Sequence, residues 1–343
     1  MTQRQATPST PAVRRATITD VARAAGVSVA TVSKVINGRY GVAAKTTERV
    51  QQVVGDLGFE SSLVARSLRS HRTNVIGILV AEFEPFSTEI LKGAGQAITG
   101  TGYELLAYSG GGRAGENTGW ERRYLSRLSG TLIDGAILVT PTIRGTGGPV
   151  PVVAIDPHAG AARMPTVGTD NFNGAVLATE HLIGLGHRRI GFLGGREDLE
   201  SSLLREEGYR AALRAAGIDV DPALVRNGGY RRQTAIGPAR ELLTLPDRPT
   251  AIFAANDLSA IGTMDVAREL GLTVPDDVSV IGFDNVPESA LTHPPLTTVA
   301  QPIQQMGFEA VHLLLRLLAG TGGIETHVQL PAELVTRGST RAR

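Results

Sequence analysis

The stretch from residue 17 to residue 38, T-I-T-D-V-A-R-A-A-G-V-S-V-A-T-V-S-K-V-I-N-G, constrains the fold more than any other part of the chain. Small and apolar residues recur at helical spacing, first at Val21, Ala22 and Ala25, then at Val32, Val35 and Ile36. That spacing predicts two short amphipathic helices. Gly26 between them can take positive φ and end the first helix. Val27 can fill the gap between the helices, and Ser28 can cap the second. Thr19 and Asp20 read as the cap of the first. Ala22 lets the helices cross closely. This is the grammar of a helix-turn-helix, which places its second helix in a DNA major groove.

Roles along that second helix follow from residue chemistry. Val29 and Ala30 at its start suit thymine methyl groups, and Lys34 suits guanine O6 and N7. Thr31 and Ser33 suit phosphate oxygens, which fix register without reading sequence. A third helix is expected over residues 46–57, with Val50, Val53, Val54 and Leu57 on one face. The net charge of +1 gives the whole chain no long-range attraction to nucleic acid, so any DNA contact must be local. Basic residues do gather early, at Arg14, Arg15, Arg23, Lys34, Arg39, Lys45 and Arg49.

The run from residue 17 to residue 38 resembles the N-terminal signature of the LacI/GalR family of transcriptional repressors. The resemblance implies operator contacts from Thr19, Ser28, Val29, Ala30, Thr31, Ser33, Lys34 and Asn37. Many relatives carry arginine where this chain has Lys34, and lysine makes a point-charge contact rather than a fork. Residues 61–69, S-S-L-V-A-R-S-L-R, lie where the family has a hinge helix that folds when two subunits meet on DNA. By that resemblance Leu68 wedges into the minor groove, Ala65 lets the paired helices approach, and Arg69 lies on the basic edge beside the phosphates.

From residue 74 the period changes. Strands are expected at 75–80, 103–108, 135–139, 152–155, 190–194, 251–254 and 278–283. Helices are expected at 87–100, 116–129, 173–186, 203–217, 233–243, 258–271 and 301–320. This alternation implies parallel sheets covered on both faces. The fold expected is an all-α helix-turn-helix headpiece followed by an α/β core of two doubly wound parallel-sheet lobes, similar to periplasmic binding proteins. Four later phrases also resemble the family: residues 180–195, 251–257, 277–285 and 294–299. The family's three crossings between lobes imply this organisation: an arm over 1–16, the headpiece over 17–60, the hinge over 61–72, a first lobe from 73–170 and 301–324, and a second from 171–300 and 325–340.

Ligands of such sheets bind at the carboxyl ends of strands. Asp156, Asn256 and Asp284 each follow an expected strand there. Asp170 and Asp257 also follow strands but read as helix caps. Phe86 can line the mouth from the first lobe. The resemblance adds Arg205 as the sugar-binding arginine, Tyr230 as a stacking aromatic and Gln301 as a crossover residue at the pocket. Carboxylates, amides and an arginine beside an aromatic face suit the hydroxyls and C–H surface of a neutral sugar or oligosaccharide.

Other chemistry is weakly signalled. The chain has no cysteine, so no disulfide or cysteine metal site is available. Its seven histidines are scattered, and residues such as His187 read as solvated or capping. The glycines of 110–115 lack the G-K-[ST] ending of a phosphate loop. No metal, no cofactor and no nucleophile–base pair are expected. Residues 1–15 lack the apolar core of a signal peptide, and no apolar run reaches membrane length. A cytoplasmic homodimer without membrane contact, bound to a pseudo-palindromic operator and a sugar effector, is therefore the expectation. The alternatives are a solute-binding transport component, which would need an export signal, and a sugar-active enzyme, which would need a catalytic constellation.

Overall fold

In the headpiece, α1 (Ile18–Ala25) starts at a reciprocal cap. Thr17 Oγ1 accepts from the Asp20 N–H at 3.3 Å, and Asp20 Oδ2 accepts from the Thr17 N–H at 2.9 Å. The cap is thus Thr17, with Asp20 three residues on, and not Thr19, which lies inside α1 with an exposed side chain. A capping box spans four positions, so reading its start two residues late is an easy error. Gly26 ends α1 at φ +62°. The second helix α2 (Val29–Ile36) follows, and α3 (Ala44–Asp56) begins two residues before the expected start. Val21, Ala22, Ala25, Val32, Val35 and Val50 form the head's buried core, closed by Ile18, Val27, Val53, Val54 and Phe59.

The structure is a computed structural model that describes residues 16–36, 40–59, 72–110, 119–129, 131–143, 148, 150–157, 164–321, 323 and 325–343. Residues 1–15 of the arm, Asn37 and the hinge residues Ala65, Leu68 and Arg69 lie outside the described residues. Contacts divide the chain into two units, meeting at His71 and Arg72; the second holds two lobes.

The first sheet runs β11-β5-β4-β3-β1-β2, all parallel: β1 (Val75–Val80), β2 (Glu104–Ser109), β3 (Gly135–Val139), β4 (Val152–Ile155), β5 (Thr166–Thr169) and β11 (His327–Leu330). Every residue of β1, β3 and β4 is buried, as strands covered on both faces require. Helices α4 (Pro85–Ile98), α5 (Trp120–Leu128) and α10 (Ile303–Ala319) belong to this lobe. Gly93 and Gly307 let α4 and α10 touch backbone to backbone: a Cβ on Gly93 would lie 1.7 Å from the Gln304 carbonyl oxygen.

The second sheet runs β12-β10-β9-β8-β6-β7: β6 (Ile190–Gly194), β7 (Val225–Asn227), β8 (Ala251–Ala254), β9 (Ser279–Asp284), β10 (Thr297–Ala300) and β12 (Glu333–Val335). Only β12 runs antiparallel to its neighbour, β10. Its helices are α6 (Asn171–Gly184), α7 (Glu200–Ala215), α8 (Arg232–Leu243) and α9 (Asp257–Glu269). The chain passes between the sheets after Thr169, after Ala300 and after Leu330.

That last crossing corrects the sequence reading, which put residues 325–330 in the second lobe. β11 pairs with β5 from His327↔Thr166 to Leu330↔Thr169, and only β12 joins the second sheet. The partner strand β5 was itself not anticipated from the sequence, so nothing local marked where β11 belonged. His187 is also corrected: it is buried, with Nδ1 2.9 Å from Thr250 Oγ1 and Nε2 3.1 Å from the Arg341 carbonyl oxygen. Burial lowers its pKa, so near neutral pH it acts as a neutral brace rather than a solvated charge.

Candidate functional site: an exposed helix face and an interlobe cleft

On the headpiece, α2 turns Val32 and Val35 inward and leaves Val29, Ala30 and Lys34 exposed. Val29 is 42% exposed, unusual for a valine in so small a core. Thr31 and Ser33 are half-buried on its flanks. Ser28 Oγ accepts from the Thr31 N–H at 3.1 Å and lies 2.9 Å from Thr31 Oγ1, so both hydroxyls help start the helix. Tyr40, between α2 and α3, is 99% exposed, and the sequence reading passed it over.

In the core, a cleft of about 400 Å3 is lined from both lobes. Phe86, Asp156, Arg205, Tyr230, Asn256, Asp284 and Gln301 all line it. The topology explains why residues so far apart in sequence converge. Asp156 follows β4, Asn256 follows β8, Asp284 ends β9 and Gln301 follows β10, all at carboxyl ends. Phe86 sits in the first turn of α4, whose start is capped by Glu84. The sequence reading did not name Glu82, Glu84, Thr140, Arg196, Leu199 and Arg231, which also line the cleft. Their signal was available: Glu82 and Glu84 follow β1 as Asp156 follows β4.

Arg205 is the hub. It is 2% exposed. Its Nε donates to Asn171 Oδ1 at 2.8 Å, and Nη1 donates to the Ala255 carbonyl at 2.5 Å and to Asp284 Oδ1 at 3.3 Å. The guanidinium carbon stacks 3.7 Å from the centroid of the Phe283 ring and 5.6 Å from that of Tyr230. Asp284 Oδ1 also accepts from Gln301 Nε2 at 2.6 Å. Burial pushes the Asp284 carboxyl up to about 7, although Arg205 and Gln301 oppose that rise. Burial likewise raises Glu84, whose carboxylate accepts from the N–H groups of Phe86 and Ser87.

Tyr230 has φ +66°, and its ring covers Gly195. A Cβ on Gly195 would lie 2.1 Å from the ring, so glycine is required beneath it. The Tyr230 hydroxyl is buried beside Ser201 without a well-formed hydrogen bond, and Gln301 Oε1 is buried with no partner. Asn256, by contrast, is committed at both ends. Its Oδ1 caps α9 through the Ser259 N–H at 3.0 Å, and its Nδ2 donates to the Tyr230 carbonyl at 3.0 Å. The cap of α9 is therefore Asn256 and not Asp257, one residue away. Asp257 is fully buried, and its two oxygens accept from Thr298 Oγ1 and the Val286 N–H. Asp170 does cap its helix, accepting from the Asn173 N–H at 3.1 Å.

Among the described residues, the three arginines of the lining have carboxylate partners. Arg205 faces Asp284, Arg196 Nη2 lies 2.7 Å from Asp198, and Arg231 pairs with Glu82 across the mouth between lobes. Among the described residues no cluster of three or more metal-ligating side chains is found, and no helix is long and apolar enough to cross a membrane.

A three-helix head with an exposed apolar and basic helix start, joined in one chain to a two-lobed core with a polar interlobe cleft, defines a class of ligand-responsive regulators. Residues 17–62 match the pattern of bacterial regulatory proteins of the lacI family, and residues 179–340 match a periplasmic binding protein-like domain. The HTH-type transcriptional repressor CytR of Escherichia coli (strain K12) is 33% identical over 334 residues, 95% of this chain and 97% of that one. Among solved structures, the transcriptional regulator CelR–cellobiose complex is 33% identical with a TM-score of 0.70, over 95% of this chain and 100% of that one. The lac repressor dimer bound to operator and the anti-inducer ONPF is 28% identical with a TM-score of 0.82, over 96% of this chain and 100% of that one. The chain belongs to the LacI family of bacterial regulatory proteins.

Proposed function

We propose that the protein is a cytoplasmic, homodimeric repressor of sugar-utilisation genes, released from a pseudo-palindromic operator when a neutral sugar or short oligosaccharide enters the cleft. The observation that carries the choice of effector is the charge balance of the lining. Each arginine of the described lining already faces a carboxyl group, while Glu84 and Asp156 add two more acids. A phosphorylated sugar would bring a dianion to a lining in which, among the described residues, every arginine already lies against a carboxyl group. Hydroxyl donors instead find the carboxyl groups of Asp284, Asp156 and Glu84. The cellobiose complex of CelR supports the same class of ligand.

On the DNA side, Val29, Ala30 and Lys34 read base edges, and Thr19, Ser28, Thr31, Ser33 and Asn37 hold phosphates. Ala65, Leu68 and Arg69 form the hinge that folds against the minor groove. A dimer matches the two-fold symmetry of such sites, and the operator-bound lac repressor dimer supports it. Sugar lowers operator affinity to the extent that it binds the DNA-free state more tightly. Calorimetric titration with paired phosphorylated and unphosphorylated sugars tests the effector assignment. Preference for the unphosphorylated member is expected, and preference for the phosphorylated one refutes it.

A further inference from the structure

At the end of β9 the backbone of Asp284 lies outside the left-handed well that aspartate and asparagine tolerate. Asp284 has φ +112° and Asn285 φ +59°, two successive residues of positive φ of which neither is glycine. Backbone of this kind persists only where surrounding contacts over-determine it. The contacts come from behind the cleft. Arg337 Nη2 donates to Asn285 Oδ1 at 2.6 Å. Its Nη1 donates to the Leu296 carbonyl at 2.6 Å and to Ser289 Oγ at 3.2 Å. The Arg337 N–H is itself fixed by Thr297 Oγ1 at 2.9 Å. From the other side, Asp257 Oδ2 accepts from the Val286 N–H at 2.9 Å, and its Oδ1 accepts from Thr298 Oγ1 at 2.5 Å. A Cβ on Gly282 would come within 2.2 Å of Asp257 Oδ1, so the strand makes room for that carboxyl.

Three neutral oxygens around one planar guanidinium is a geometry that lysine cannot copy. Neither Arg337 nor Asn285 lines the cleft. We infer that Arg337 is a positioning residue for the effector: by clamping Asn285 it holds the left-handed turn that aims the Asp284 carboxyl into the cleft. A side chain behind the site thereby sets effector affinity. The inference rests on the sugar reading of the cleft. It also explains what the last crossing achieves: the segment that leaves the first sheet at Leu330 carries Arg337 to the back of the second lobe's ligand turn.

The test uses the full-length protein. Wild type is titrated by calorimetry with glucose, ribose, cellobiose and further unphosphorylated mono- and disaccharides, and the tightest binder is carried forward. Arg337→Ala and Asn285→Ala should each raise its Kd by about tenfold or more, with Arg337→Lys recovering little. Asn285→Gly placed in the Arg337→Ala background should regain part of the loss, because glycine takes positive φ without strain. Binding to duplex from upstream of the protein's own gene, without sugar, should stay at the wild-type level. A Kd within about twofold of wild type in both alanine variants overturns the inference, a change no larger than that of an ordinary surface substitution. So does a double variant weaker than Arg337→Ala alone, the signature of a merely structural arginine. If Arg337→Ala fails to fold, Asn285→Ala decides. If no sugar binds wild type, the sugar reading falls and takes the inference with it; if wild type binds and the variants match it, the inference alone falls.

Discussion

Asp284→Asn should change how stability depends on pH. The Asp284 carboxyl stands at about 7 in the folded protein, against roughly 3.9 in an unfolded chain. Burial is the main cause, and the charges of Glu84 and Asp156 add to it. A gap of about three units at about 1.4 kcal/mol each amounts to on the order of 4 kcal/mol. The folded state holds this proton more tightly, so the contribution is complete below about pH 4 and is lost as pH rises through 7. Asparagine carries no such proton. Relative to Asp284→Asn, wild type should therefore lose several kcal/mol between pH 4 and pH 8. Urea unfolding of both proteins across that range, followed by circular dichroism, measures the difference. A titration of 13C-labelled aspartate should show a carboxyl resonance with a midpoint near 7 that Asp284→Asn removes. A stability difference that stays flat with pH, or an Asp284 resonance that titrates near 4, refutes the reasoning.

Other perturbations isolate single features. Gly195→Ala places a methyl within the Tyr230 ring; it should cost about 1–3 kcal/mol of stability and weaken sugar binding by calorimetry while sparing operator affinity. Thr17→Ala removes the reciprocal cap of α1 and should lower headpiece stability by about 1 kcal/mol, read by thermal melting. Lys34→Ala should relax base choice at one position of each half-site by about 1–3 kcal/mol, read by selection from a random duplex library, whereas Ser33→Ala should weaken all duplexes alike.

The strands best read from sequence are the central ones. Val75–Val80, Gly135–Val139, Val152–Ile155, Ile190–Gly194 and Ala251–Ala254 coincide with continuous apolar runs, because both faces of each are covered. Thr166–Thr169, Val225–Asn227 and Thr297–Ala300 were missed. They are three or four residues long, and their pairing depends on partners far away in the chain rather than on a local period. Cap positions erred by one or two residues, at Thr17 and at Asn256, because neighbouring Thr, Asp and Asn side chains can each accept from a first-turn amide. The cleft lining was legible because strand ends are, and ligands gather there. What stood behind the cleft was not. Asp257 looked like a cap, and no local pattern singles out Arg337, since only the folded chain brings them to the turn at Asp284–Asn285.

The most direct measurement is fluorescence anisotropy of the full-length protein on duplex from upstream of its own gene, with and without each sugar of the panel. Sequence-preferring binding that one unphosphorylated sugar weakens, with Asp284→Asn and Arg205→Ala variants still binding DNA but no longer responding, is the result expected. Absence of DNA binding, or binding that no sugar changes while the protein turns over a sugar substrate, would contradict a regulator that couples a reading head to a ligand cleft.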